Sequence, residues 1–334
     1  LKWFGSRPSN VLLGAMGLTF VFSMFMSNTA TTAMMMSVMA PVIAGIDKKD
    51  PFVKALLLGV PFAANVGGMG TIIGSPPNAI AAGLLSETHA ISFIEWMTLG
   101  LPPAIVLFFI AWLYLRFAHP SNSETLDLRG LEWETRTGSL LPMWKRLLVF
   151  PVFILTVLLW MTGSIHGMPT AVVSFIPITI FAVTGILNVA EIRRLQWDVL
   201  MLMAGGLSLG VAIQKSGLAT WLLGLIPMDT MGLLAIAFVL AYITTLLSNF
   251  MSNTAATNIL APLGMAVAVG FEPIVVIPLA LGASAAMCLP ISTPPNAIAF
   301  ATGDLKSTDF LRGGILMGIL GPVLSTLWVF WMLG

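Results

Sequence analysis

Phe25-Met26-Ser27-Asn28-Thr29-Ala30-Thr31-Thr32 and Phe250-Met251-Ser252-Asn253-Thr254-Ala255-Ala256-Thr257 are near-copies of one another. In each, a polar Ser-Asn-Thr triplet interrupts an apolar run. Each is followed by a second shared signature. Gly74-Ser75-Pro76-Pro77-Asn78-Ala79-Ile80-Ala81 comes after the first triplet, and Ser292-Thr293-Pro294-Pro295-Asn296-Ala297-Ile298-Ala299 after the second. The same two signatures in the same order, at similar spacing, point to an internal duplication.

The composition says where such a duplication resides. Of the 334 residues, 57% are hydrophobic and 9% charged, against about 25% charged in a soluble domain. One soluble core cannot hide that much apolar surface, so the sequence reads as an all-α polytopic membrane protein. The net charge of +1 leaves no basic patch for nucleic acid, and the one cysteine, Cys288, excludes an internal disulfide or a cysteine metal cluster. His89, His119 and His166 fall in expected loops and read as solvated. The chain starts at Leu1 with hydrophobic structure close behind, and reads as a piece lacking an N-terminal portion.

Residues 9–45 form two apolar arms around Ser27-Asn28-Thr29. Each arm is roughly 25 Å long, short of the ~30 Å hydrocarbon core. Lys2 and Arg7 precede the arms, and Lys48 and Lys49 follow them. The positive-inside rule places both ends in the cytoplasm, so the segment reads as a re-entrant hairpin with the triplet at its tip. A single kinked span is the alternative. Residues 52–85 read as a discontinuous helix, a span over 52–73 ended by Gly74-Ser75-Pro76-Pro77 and a half-helix from Asn78 to Leu85. Residues 86–100 carry Glu87 and Glu95 without a Lys or Arg and are expected outside, before a span at 101–118.

The polar stretch 119–146 reads as a cytoplasmic linker. It is followed by scaffold spans within 147–213 (147–163, 169–188 and 198–213) and an interfacial helix at 214–227. The second hairpin occupies 230–270, flanked by Asp229 and Glu272 and no base, so it is expected to enter from outside. A broken helix at 273–303 and a last span at 313–333 complete the chain. Residues 1–118 thus make a first repeat and 147–334 a second, related by inverted topology, an architecture of secondary transporters.

The expected membrane interior holds no Asp, Glu, Lys, Arg or His. That argues against a proton relay, a Ser-His protease and a nucleotide-driven engine. What remains is hydroxyls, amides, freed carbonyls and helix ends. Helix N-termini suit an anion, and carbonyl, hydroxyl and amide oxygens suit a hard cation. Ser23 lies one turn before Ser27, as Ser248 lies before Ser252. A site without fixed charge takes an anion only if bound cations balance it. Interhelical hydrogen-bonding glue is the bland alternative for a lone triplet, but two triplets, each followed by Pro-Pro-Asn, favour a site. The Met34-Met35-Met36 cluster and the pairs Gly70/Gly74 and Gly314/Gly318 read as packing.

With these motifs the sequence resembles the divalent-anion/sodium symporters, the INDY-like dicarboxylate carriers, along its whole length. Members of that family have further N-terminal helices. The resemblance implies an elevator mechanism in a homodimer, multi-pass in a bacterial inner membrane. It implies a first sodium ion at Ser23, Ser27, Asn28 and the Gly74 carbonyl. It implies a second at Ser248, the Met251 carbonyl, Asn253 and the Ser292 carbonyl. Substrate carboxylates would meet Asn28, Thr29, Ser75, Asn253, Thr254 and Thr293. The expected activity is sodium-coupled symport of dicarboxylates such as succinate, malate or fumarate, with no enzymatic function and no organic cofactor. The alternatives are a sulfate or citrate carrier, a sodium-independent dicarboxylate exchanger, or an anion channel on the same scaffold.

Overall fold

Prolines, serines and glycines write the helix boundaries of this chain. The computed structural model describes residues 5–126, 142–195, 197–217, 221 and 232–334. These residues are helical with no strand among them. The first group comprises α1 (Pro8–Ser23), α2 (Asn28–Ala44), α3 (Phe52–Gly67) with one 3-10 turn at Gly68–Gly70, α4 (Pro76–Leu85) and α5 (Phe93–Ala118). A middle group follows: α6 (Met143–Met161), the single turn α7 (Gly163–His166), α8 (Thr170–Val183), the short α9 (Val189–Arg193) and α10 (Trp197–Lys215). The last group is α11 (Leu233–Ser248), α12 (Asn253–Val267), α13 (Glu272–Ser284), α14 (Pro294–Phe300) and α15 (Ser307–Leu333).

The last group repeats the first element for element. Both triplets sit where the first helix of a group turns into the second. Ser27 Oγ accepts from Ala30 N at 3.2 Å and Ser252 Oγ from Ala255 N at 3.1 Å, so the same serine caps α2 and α12. Both proline pairs open the fourth helix, where a missing N–H costs nothing and the fixed φ suits the first turn. Packing repeats as well. Helix α1 lies on α3 and α3 on α5, as α11 lies on α13 and α13 on α15. The groups interlock crosswise, α2 against α14 and α12 against α4, while α5 meets α15.

The core lies along α3 and α13, which are enclosed by the others. Close backbone approach makes this possible. A Cβ on Gly67 would stand 2.4 Å from the Phe20 carbonyl oxygen of α1. Among the described residues, four helical stretches are long and apolar enough to cross a membrane: Phe52–Gly70, Phe93–Ala118, Met143–Met161 and Ser307–Leu333. Helices α6 and α8 pack on each other and turn large side chains outward, among them Leu147, Phe150, Phe175 and Ile178. Surface of that kind is stable in lipid or under a partner, not in water.

Several boundaries differ from those read in the sequence. The first broken helix ends at Gly67, seven residues before Gly74, because the run Gly67-Gly68-Met69-Gly70 tightens into a 3-10 turn. The prolines start α4 rather than stop α3. The second broken helix ends at Ser284 for its part, well before Pro294. The span expected over 101–118 is the second part of α5, which begins at Phe93 behind a capping box made by Ser92 and Glu95. The last span likewise begins earlier, at Ser307. Most of the expected interfacial helix at 214–227, residues 230–231 of the second hairpin and most of the linker at 119–146 lie outside the described residues.

The histidines are not simply solvated. His89 Nδ1 lies 3.2 Å from Glu272 Oε2, and Glu272 is buried at the start of α13. His166 Nε2 lies 2.8 Å from the Leu159 carbonyl oxygen. His119 is half-buried beyond the end of α5. Burial pushes its imidazole below the usual histidine value, with Asp309 acting against that shift and Lys54 with it. Lys54, inside the expected span 52–73, stands in the first turn of α3 and pairs with Asp309 of α15 at 2.9 Å. Of the glycine pairs, Gly74 and Gly314 are packing positions. A Cβ there would come within 2.5 Å of the Gly68 carbonyl oxygen and 2.3 Å of the Cys288 Cα, respectively.

Candidate functional site

The site is built from the two turns that carry the triplets and the two breaks beside them. At the first turn, the Ser23 hydroxyl lies 2.8 Å from the Ala64 carbonyl oxygen of α3. One terminal atom of the Asn28 amide lies 2.7 Å from Ser23 Oγ and 3.1 Å from each of the Ala64 and Gly74 carbonyl oxygens. With nitrogen at that position, two amide hydrogens face three oxygens. With oxygen there, four oxygens converge, as around a hard cation. Hydrogen bonding favours the first rotamer and a bound cation the second, so the amide is poised between the two. Gly68 makes room for it, since a Cβ there would stand 2.5 Å from Asn28 Oδ1.

At the second turn the corresponding atoms are left over. Ser248 Oγ and Asn253 Oδ1 are buried with no hydrogen-bond partner. Each such atom costs about 1–3 kcal/mol if nothing else meets it. These orphaned oxygens fit a cation, and no charged side chain stands among the proposed ligands. Three further residues are hydrogen-bonded into these clusters although the sequence did not single them out. Ala64 contributes its carbonyl. Asn249, next to Ser248, donates from Nδ2 to the Thr245 carbonyl at 2.9 Å and accepts at Oδ1 from Cys288 N at 2.9 Å. It also receives the Ser292 hydroxyl, 3.1 Å from Oδ1 and 3.2 Å from its carbonyl oxygen. Asn65, a lone amide in the apolar run of α3, donates to Thr293 Oγ1 at 3.1 Å. A solitary amide inside a buried apolar helix was the available signal for Asn65. For Asn249 there was little signal, because the first copy has Met24 in its place.

The asparagines of the Pro-Pro-Asn signatures hold the breaks together. Asn78 Nδ2 donates to the Gly68 and Thr71 carbonyls at 2.8 and 2.7 Å. Asn296 Nδ2 donates to the Met287 and Leu289 carbonyls at 3.1 and 3.0 Å. Carbonyls freed by the broken helix are thereby satisfied where both asparagines are fully buried. Each break is also tied to the neighbouring turn. Thr71 Oγ1 donates to the Met24 carbonyl as Ser292 Oγ reaches the Asn249 carbonyl.

Of the residues singled out in the sequence, Ser23, Asn28 and Gly74 are brought into one cluster. Ser27 is exposed and spends its hydroxyl capping α2. Thr29 is half-buried in the first turn of α2, and Thr254 is buried in the first turn of α12. Met251 is exposed at the second turn, its N–H bonded to the Leu247 carbonyl. Ser75 Oγ lies 3.4 Å from Ser284 Oγ of α13, and Thr293 is buried and bonded to Asn65 and to Asn296 N. Among the described residues no group of His, Cys, Asp and Glu could hold a metal ion. The oxygens that gather around the Asn28 amide, from one hydroxyl and two carbonyls, are neutral.

Known proteins resemble this chain in sequence. A profile of the citrate transporter family, CitMHS, matches residues 1–273. The sodium-dependent dicarboxylate transporter SdcS of Staphylococcus saprophyticus is 32% identical over 99% of this chain and 71% of its own length. The SdcS protein of Staphylococcus aureus is 31% identical over 100% of this chain and 71% of its own. This chain belongs to that transporter family. It is a multi-pass integral membrane protein and a transporter rather than an enzyme, which accounts for the outward apolar faces of α6 and α8.

Proposed function

We propose that this protein is a sodium-coupled symporter of small dicarboxylates such as succinate, malate or fumarate. The convergence of neutral oxygens on Asn28 carries the reading. It offers a hard cation several ligands and supplies no charge of its own. The first ion would be held by Ser23, Ser27, Asn28 and the Gly74 carbonyl, joined by the Ala64 carbonyl. The second would be held by Ser248, Asn253 and the Met251 and Ser292 carbonyls, which gives the orphaned oxygens of the second turn a partner. The substrate would meet Asn28, Thr29 and Ser75 from one half and Asn253, Thr254 and Thr293 from the other. The first N–H groups of α2 and α12 have no carbonyl one turn earlier and bear partial positive charge, which suits a carboxylate. A dianion in a site without fixed cations needs sodium ions to balance it, and this requirement is the physical basis of coupling.

The repeated order of α1–α5 and α11–α15 supports a repeat of residues 1–118 and 147–334, and the basic residues that flank the first hairpin but not the second support its being inverted. In that arrangement the turns are re-entrant tips from opposite faces, and the 119–146 linker is cytoplasmic. In the same reading, the groups carrying the tips move as an elevator against a scaffold that includes α6 and α8. The outward faces of those two helices serve lipid contact and a homodimer. Citrate is the second substrate reading, favoured by the match to the citrate transporter family.

Purified protein in proteoliposomes tests the function. An inward sodium gradient should drive labelled succinate above its external concentration, and equal sodium on both sides should abolish the accumulation. Uptake indifferent to sodium would make the protein an exchanger, and conductance without saturation would make it a channel.

A further inference from the structure

Asn65 stands between the two halves of the site. Its neighbour Ala64 presents the carbonyl oxygen that lies 3.1 Å from the Asn28 amide and 2.8 Å from the Ser23 hydroxyl, at the first turn. Asn65 itself is 1% exposed and reaches the other half, with Nδ2 3.1 Å from Thr293 Oγ1 and 3.4 Å from Asn296 Oδ1. Thr293 Oγ1 in turn accepts from Asn296 N at 3.3 Å, capping α14. Asn296 clasps the Leu289 carbonyl, and Leu289 N donates to Ser292 Oγ at 3.0 Å, which ends on Asn249 at the second turn. One continuous path of hydrogen bonds and single peptide steps thus runs from Asn28 to Asn249. On this path Asn65 makes the crossing between the halves, over 228 positions of sequence to Thr293 and 231 to Asn296.

The second half makes the reciprocal contact. Asn65 lies thirteen residues before Asn78, and Ser284 lies twelve before Asn296. Ser284 Oγ meets Ser75 Oγ at 3.4 Å, so each half sends one polar side chain from its third helix to the residue that opens the other half's Pro-Pro-Asn break. The two contacts are unequal. The Ser75–Ser284 pair is a long hydroxyl contact. Asn65 is a committed donor whose own Oδ1 is buried without a partner. A buried amide left half-satisfied is retained against a stability cost, and the neighbours of this one are cation ligands on one side and a substrate ligand on the other.

We propose that Asn65 is a positioning residue that couples sodium binding at the first turn to dicarboxylate binding at the Thr293 end of the site. The proposal rests on the sodium-dicarboxylate reading above. A cation that draws the Ala64 carbonyl toward itself moves the backbone that carries Asn65. Through Nδ2 that movement sets where Thr293 and the start of α14 stand. The two ligands need not touch for one to favour the other, because coupling requires only an element whose arrangement both of them bias.

The test measures coupling rather than uptake. Sodium is titrated into the purified, detergent-solubilised protein, with and without saturating succinate, and binding is followed by the shift in melting temperature. The ratio of the two apparent sodium affinities is the coupling factor. In the unmodified protein it should be about tenfold, within the usual range for linked sites. In Asn65→Ala it should fall to less than about twofold, while sodium affinity without succinate changes by less than about twofold. Asn65→Ser keeps a shorter donor, a hydroxyl like that of Ser284 in the other half, and should fall between the two. A residue that merely packs would lower the melting temperature and leave the ratio alone. Unmodified coupling in either folded variant would overturn the proposal. Absence of coupling in the unmodified protein would remove the sodium-coupled reading itself, and the proposal with it, before any variant is made.

Discussion

Ser248 and Ser23 occupy the same position in the two copies but differ in hydrogen bonding. The Ser23 hydroxyl has an acceptor in the Ala64 carbonyl, whereas Ser248 Oγ is buried with none. Deleting an unpaired buried hydroxyl relieves a desolvation cost, while deleting a paired one strands its partner. In sodium-free buffer Ser248→Ala should therefore raise stability by about 1 kcal/mol, and Ser23→Ala should lower it by about the same. If Ser248 ligates sodium, its loss should also weaken apparent sodium affinity by at least about tenfold, because a cation ligand is gone. Thermal melts with and without sodium would show both effects. Unchanged sodium affinity in Ser248→Ala would remove it from the site. Ser23 and Asn28 stood out in the sequence because the triplet is a polar island in an apolar run with a serine one turn before it, whereas the Gly74 carbonyl came from the family resemblance. Ala64 did not stand out, since it acts through a carbonyl that every residue possesses.

At the scale of elements, the broken helices owe their form to glycine and asparagine more than to proline. The prolines were the visible signal, and they place the start of α4 and α14 correctly. They do not say where the preceding helix ends. Gly67–Gly70 sets that limit in one copy, and Ser284 in the other, where the chain turns at Ala285 before Pro290 is reached. The asparagine that follows each proline pair then collects the carbonyls released between the two limits. Asn296→Ala would leave the Met287 and Leu289 carbonyls without their donor. It should cost about 1–3 kcal/mol, seen as a lower melting temperature of the purified protein, and Asn78→Ala should do the same. A wild-type melt for both variants would mean that other donors hold the breaks. Helix α5 shows a different limit of the sequence. The acids Glu87 and Glu95 marked an outside loop, yet Glu95 is the capping residue of a helix already under way. Acidic residues belong at helix starts as naturally as in loops.

At the scale of the whole molecule, the duplication was legible because the repeated motifs are local strings. The joints between the copies were not, because they link positions far apart in the chain. Lys54 and Asp309 are 255 positions apart, and Asn65 and Thr293 are 228. His89 with Glu272 is a third such joint, and nothing in its sequence neighbourhood pairs those two residues. The interlocking of α2 with α14 and of α12 with α4 belongs to the same set. These joints make one body of the two copies. The proposed function rests on that pairing: in it each half would supply one amide, one threonine hydroxyl and the N–H groups of a helix start, enough for one carboxylate. A ligand with two carboxylates uses both sets, and a monocarboxylate leaves one buried and unmet, a loss of about 1–3 kcal/mol or roughly ten- to a hundredfold in affinity. Competition against labelled succinate uptake, in proteoliposomes with an inward sodium gradient, measures this directly. Unlabelled succinate should compete at least about tenfold more strongly than butyrate of the same chain length, whereas equal competition by the two would contradict a site shared between the halves.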